Sequence, residues 1–203
     1  MAWRIKTDTE LKKQLTDFSI KGEIKVKLYL VKPDLTYYEE YNEMMKEWVE
    51  SNTQIAPWFL ENPIPTIEEF AKFVKHLDDC EHGRLDEKYC STTSYFVVDE
   101  NNKLVGAASL RHYLTLEGMN TWGHVGYGIR PSERRKGYAT EALNLLLKEV
   151  KNHHIQRVLV GTHSSNIGSC KVIEKCGFKF EEEIIDPYNS NETIKKYSKY
   201  ILF

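Results

Sequence analysis

The order of elements along the chain predicts a mixed α/β domain: a central twisted sheet of about seven strands flanked by about four helices. Three observations carry this. Short apolar runs alternate with polar residues, as in Glu23–Val31, where Ile24, Val26, Leu28 and Leu30 share one face. Helical stripes separate these runs; the cleanest joins Ala139, Ala142, Leu143, Leu146, Leu147 and Val150. Between Gly123 and Val150 a strand feeds that helix through a basic turn, Arg134-Arg135-Lys136-Gly137-Tyr138-Ala139. Such a turn aims backbone N–H groups and a positive helix end at one spot, which suits a phosphate or pyrophosphate.

A chain of 203 residues, 41% hydrophobic and 29% charged, can bury a core of its own. We expect residues 1–22 to be an N-terminal extension and 23–203 a single domain. A net charge of -2 argues against a protein that wraps nucleic acid, so the local basic turn matters more than the balance. No apolar run approaches the roughly 18 residues of a membrane span, and the first residues lack a signal-peptide core; the expected compartment is the cytosol. Cys80, Cys90, Cys170 and Cys176 form no C-x-x-C pair, no His cluster completes a zinc set, and the adjacent His153 and His154 read as a helix-end surface pair. No metal is expected.

In order, Leu11, Leu15 and Phe18 fall at helical spacing after Asp8. The strand at 23–31 ends at Lys32-Pro33. Asp34 opens a helix to about Ser51, with Leu35, Tyr38, Tyr41, Met45, Trp48 and Val49 on one stripe. Residues 52–65, with three prolines and Trp58-Phe59, form a rigid loop. Thr66 and Glu69 make a capping box for a helix bearing Ile67, Phe70, Phe73, Val74 and Leu77. Residues 80–92 read as loop. Ser94–Asp99 and Leu104–His112 are strands, 115–121 a connection, and 123–130 the strand into the basic turn. Arg157–Gly161 is a strand, Ser165 or Asn166 caps a helix to about Cys176, and Phe178–Ile185 and Thr193–Phe203 are strands around Asp186-Pro187-Tyr188-Asn189.

Three phosphate-binding plans compete for the basic turn. A P-loop needs G-x-x-x-x-G-K-S/T, but Lys136 precedes Gly137. A Rossmann fingerprint needs its glycines to open the helix, but Gly126-Tyr127-Gly128 is followed by Pro131, and the helix starts much later. The third plan, Q/R-x-x-G-x-G/A after a strand and proline, is met by Arg134–Ala139 behind Tyr127-Gly128-Ile129-Arg130-Pro131. Six positions with loose constraints recur by chance. The setting makes them specific, because Asn166-Ile167-Gly168-Ser169 through Lys175-Cys176-Gly177-Phe178 follows as a second block.

With both blocks the chain resembles the GNAT superfamily of acyl-CoA-dependent N-acetyltransferases from Glu23 to Phe203. The S-x-x-V/L-x-E-K-x-G-F wording is similar to the branch that acetylates N-termini of ribosomal proteins. The resemblance implies a GNAT-like sheet and acetyl-CoA as co-substrate. It makes Arg134, Arg135, Lys136, Gly137, Tyr138, Ala139 and Thr140 cofactor-binding, with the pyrophosphate on backbone N–H groups of Arg135 to Ala139, and pairs the pantetheine arm with the backbone of Tyr127, Gly128 and Ile129. A kink or bulge at Gly126 and Gly128 would part this strand from Arg157–Gly161. Asn166 either caps its helix or holds the pantetheine amide.

Chemistry needs a neutral amine, donors for the oxyanion and a proton for the leaving thiolate. The family's frequent acid is a tyrosine four residues before the G-F glycine; here that residue is Ile173. Ser169 is the candidate donor instead, the alternative being a bond to its own helix backbone. His124 and His112 are candidate bases, with water acting for a carboxylate as the alternative. Trp58 and Phe59 either line an acceptor pocket or pack in the core. The implied function is acetyl transfer from acetyl-CoA to a primary amine, a peptide N-terminus or a small amine, by direct attack. A sensing module that binds acyl-CoA without turnover is the alternative. A nucleic-acid partner and a membrane are not expected, and a homodimer is left open.

Overall fold

The computed structural model describes residues 27–85 and 90–202. The N-terminal extension and the first part of the strand expected from Glu23 lie outside the described residues. Seven strands and five α-helices are present among them. They are β1 (Leu28–Val31), α1 (Tyr38–Glu50), α2 (Ile67–Glu81), β2 (Thr92–Asp99), β3 (Leu104–Arg111) and α3 (Leu116–Asn120). There follow β4 (Val125–Ile129), α4 (Tyr138–Asn152), β5 (Arg157–His163), α5 (Ile167–Lys175), β6 (Lys179–Asp186) and β7 (Asn189–Tyr200).

The strands fall into two antiparallel ladders, β1-β2-β3-β4 and β5-β7-β6. A single isolated bridge, Gly123 to Val160, joins them, closed by His124 N–H to Leu159 O at 2.8 Å and Gly161 N–H to Trp122 O at 3.0 Å. Beyond it β4 and β5 part. The expected bulge is not the cause, since β4 keeps register with β3 from Gly106↔Ile129 to Leu110↔Val125. The glycines serve close approach instead. A Cβ at Gly128 would stand 2.0 Å from the Ala56 carbonyl oxygen, so only glycine lets residues 54–57 lie on this strand.

The first sheet is buried on both faces, which is why β2 and β3 read as continuous apolar runs. One face carries α1 and α2, with Tyr41, Met44, Met45, Trp48, Phe70 and Phe73 against Phe96 and Val98. The other carries α4 and α5, where Leu143, Leu146, Val150 and Ile173 meet Val97, Val105, Leu110 and Val125. The stripe read from the sequence for α4 is thus its buried face.

Several boundaries differ for local reasons. The Asp34 carboxylate accepts from Thr36 N at 2.8 Å and caps a 3-10 turn, Leu35–Tyr37, before α1 begins. Thr66 caps α2 as its spacing predicts, accepting from Glu69 N at 3.2 Å. The connection at 115–121 contains α3, started by Thr115 accepting from Gly118 N at 3.1 Å. One turn with Gly118 and Asn120 has no apolar period to betray it. Strand β7 starts four residues before Thr193, because Asp186 accepts from Tyr188 N at 2.9 Å and closes a tight hairpin. The four cysteines are free thiols. No helix among the described residues is long and apolar enough to cross a membrane.

Candidate active site

Beside β4 lies a cavity of about 680 Å³. Strand β4, the turn at 133–140, the start of α5 and residues 48–56 wall it. Tyr127, Gly128, Ile129, Arg134, Arg135, Gly137, Tyr138, Ala139, Thr140, Asn166 and Ser169 all line it. Three separate segments singled out in the sequence therefore meet in one space. Lys136, His112 and His124 do not line it.

The turn is shaped by two left-handed residues, Arg135 at φ 67° and Gly137 at φ 86°. For an arginine this conformation is strained, and its persistence beside a cavity is the kind of cost that function retains. Gly137 is the N-cap of α4 and supplies no side chain to its first N–H groups. Thr66, Thr115 and Asn166 cap their helices with side-chain oxygens. The free N–H groups and helix dipole of α4 therefore face the cavity and suit an anion.

The basic side chains divide their roles. Arg134 is a fastener: Nε donates to Ile129 O at 3.0 Å, Nη2 to Thr53 Oγ1 at 3.0 Å, and the guanidinium lies 5.6 Å from the Trp48 ring centre. Lys136 pairs with Glu133 at 2.7 Å, and Lys103 reaches the same carboxylate at 2.8 Å. The two lysines hold Glu133 below the usual carboxylate range. Arg135 is exposed and makes no hydrogen bond or ion pair with the described residues. It is the side chain of the turn left to meet an anion.

Arg130 belongs to the scaffold. It is buried, donating from Nε to Glu47 at 2.8 Å and from Nη1 to Leu104 O at 3.0 Å. Glu47 also takes the Ser132 N–H and, at 3.1 Å, its hydroxyl. Burial pushes the Glu47 carboxyl up, but Ser132 and Arg130 outweigh it and hold the group low. Helix α1 is thereby tied to the chain entering the turn. A structural ion pair for Arg130 is a reading the sequence allows, but its partner Glu47 is not legible there, nor are Trp48, Thr53, Gln54 and Ala56 on the cavity wall. Within residues 52–65, Thr53, Gln54 and Ala56 line this cavity, whereas Ile55, Leu60, Glu61 and Ile64 line a second one of about 750 Å³ with Glu69, Lys72 and His76.

On the opposite wall Asn166 caps α5, accepting from Ser169 N at 3.0 Å. The Ser169 hydroxyl lies 3.1 Å from the Tyr127 hydroxyl. Burial raises the Tyr127 phenol above its ordinary value, so it stays protonated. Ile173 is fully buried in the core. His124 Nδ1 accepts from Leu159 N at 3.0 Å. Burial, then the neighbouring Arg111, pushes its pKa down to about 4. His112 Nε2 is 2.8 Å from Thr93 Oγ1, and its ring stacks on His153 at 4.1 Å. Burial and then His153 bring it to about 4 as well. His153 is thus a packing residue of that pair. Phe59 is buried in the core, while Trp58 is exposed.

Fold and cavity together define an α/β domain whose two ladders part beside a turn suited to an anion. A protein-family model described as the acetyltransferase (GNAT) domain matches residues 27–179, and the chain belongs to this family. It is 32% identical over 85 residues to the probable N-acetyltransferase YjcK of Bacillus subtilis, a stretch covering 40% of this chain and 44% of that protein. The chain thus matches less than half the length of that relative.

Solved structures extend the likeness. The ribosomal L7/L12 α-N-protein acetyltransferase RimL in complex with coenzyme A gives a TM-score of 0.65 at 17% identity, covering 88% of this chain and 97% of that one. The microcin C7 self-immunity acetyltransferase MccE with acetyl-CoA and AMP gives 0.63 at 21%, covering 86% and 93%. A dodecameric spermidine N-acetyltransferase from Vibrio cholerae gives 0.59 at 17%, covering 86% and 94%. At these identities the likeness shows a shared fold.

Proposed function

We propose that this chain is an N-acetyltransferase that moves acetyl from acetyl-CoA to a primary amine by direct attack in a ternary complex. One observation carries the reading: the unpaired edge of β4, the uncapped start of α4 and the first turn of α5 open into one cavity. An extended arm suits the β4 edge, and a pyrophosphate suits the N–H groups around Gly137, with Arg135 beside them. Asn166 and Ser169 face the arm from α5. His124 and His112, both with a ring nitrogen engaged and both held neutral, serve here as scaffold. Water then takes the amine proton.

The amine panel takes an N-terminal peptide of a ribosomal protein and spermidine from the structural relatives and adds an aminoglycoside as a third class. Free CoA release is measured with each amine, alongside calorimetric binding of acetyl-CoA. Turnover with at least one amine is the expected result. Tight acetyl-CoA binding with no turnover across the panel would establish the sensing module instead.

A further inference from the structure

The helix after Asn166 lacks a tyrosine at Ile173, yet a tyrosine reaches the same wall from another element. Tyr127 projects from β4, and its hydroxyl is 3.1 Å from that of Ser169 on α5. We infer that Tyr127 is a positioning residue for Ser169: its phenol donates to Ser169 Oγ, and the serine hydrogen is thereby turned toward the sulfur that leaves. This inference rests on the acetyl-CoA reading of the cavity.

Geometry and acidity set the direction of the pair. A serine hydroxyl has one hydrogen and can rotate; once Oγ accepts a bond, that hydrogen is free to point elsewhere. A helical serine commonly bonds the carbonyl four residues back, and that use would waste the hydrogen. Here the one hydrogen bond of the Ser169 hydroxyl among the described residues runs to Tyr127. The Ser169 backbone is fixed too, its N–H committed to Asn166. A phenol is a better donor than an aliphatic hydroxyl, and hydrogen bonds in a chain polarise one another, so the order Tyr127 to Ser169 to sulfur is the strengthening one. With desolvation raising its pKa, the phenol keeps its proton at neutral pH.

The step balances. The amine nitrogen bonds the thioester carbonyl carbon and loses one proton to water. The C–S bond breaks with its electron pair on sulfur. Ser169 donates a hydrogen bond to that negative sulfur, and water returns a proton to give the thiol. Tyr127 and Ser169 finish with the protons they began with.

The test titrates the thiol of CoA bound to the full chain, by thiolate absorbance, in wild type, Tyr127→Phe, Ser169→Ala and the double variant. The pair should lower the bound thiol pKa, and Tyr127→Phe should raise it by about half to one unit. In turnover, Tyr127→Phe should lower kcat about tenfold without changing the KM for acetyl-CoA. Adding it to Ser169→Ala should cost nothing more, since the two act in series. An unchanged thiol pKa in Tyr127→Phe with CoA affinity intact overturns the inference alone, as does a kcat loss that multiplies in the double variant. A wild-type chain that binds no CoA overturns the cofactor seat and the inference together. CoA binding with the expected thiol shift but no turnover supports the pair and overturns only the transfer reading.

Discussion

Lowering the pH should load a single buried histidine with a measurable cost. His124 is 8% exposed, and its Nδ1 is spent on the Leu159 N–H. Its own N–H and C=O pair with Leu159 O and Arg111 N, both at 2.8 Å, so the ring sits where β3, β4 and β5 converge. A free histidine titrates near 6.5, whereas burial and Arg111 bring this one down to about 4. Between those values the unfolded chain binds a proton that the folded chain refuses. The contribution is therefore complete above about pH 6.5 and declines as the pH falls, by up to ~1.4 kcal/mol per pH unit. At pH 4 the accumulated loss is on the order of 3 kcal/mol. His124→Asn keeps an acceptor for Leu159 N and abolishes the titration. Urea unfolding of both chains from about pH 7 to pH 4.5 isolates the difference, because His112 burdens both equally. The advantage of wild type should shrink steadily on acidification. Parallel stability curves for the two chains would refute the reasoning.

Gly137→Val, at φ 86°, should cost about 1–2 kcal/mol of stability and weaken acetyl-CoA binding at least tenfold, read by thermal unfolding and calorimetry. Arg130→Met leaves Glu47 with Ser132 alone and should cost about 3 kcal/mol in urea unfolding. Asn166→Ala should lose about 1 kcal/mol with its cap and also weaken acetyl-CoA binding, whereas Asn166→Asp should restore stability without restoring affinity. Equal affinity in Asn166→Asp and wild type would reduce Asn166 to a cap.

What could be read in the sequence was local. The α4 stripe is one face packed on one sheet, so its period survives translation into structure. The anion turn is likewise a contiguous stretch, and its glycine announces the left-handed residue it becomes. Contacts between distant segments left no such trace. Glu47 and Arg130 stand 83 residues apart, and Tyr127 and Ser169 stand 42 apart. Neither pair has a spacing rule to reveal it. Gly128 was legible as a special position but not for its reason: the sequence shows a residue without a side chain, while the Ala56 carbonyl that needs the space comes from another loop. Helix α3 was invisible because a single turn has no periodicity.

The lone bridge at Gly123 also bears on how the molecule meets other molecules. A strand edge with unpaired N–H and C=O groups invites addition of a foreign strand, and proteins usually blunt such edges with charge or cover. Here the edge of β4 beyond the bridge is kept indoors, walled by α5 and the turn at 133–140. The outer edge at β6 carries Glu181, Glu182 and Glu183 instead, the first paired with Arg157 and the second with Lys196, a rim of charged side chains that disfavours a docking strand. The same domain thus keeps two sheet edges under opposite policies, one defended by charge and one hidden and left adhesive.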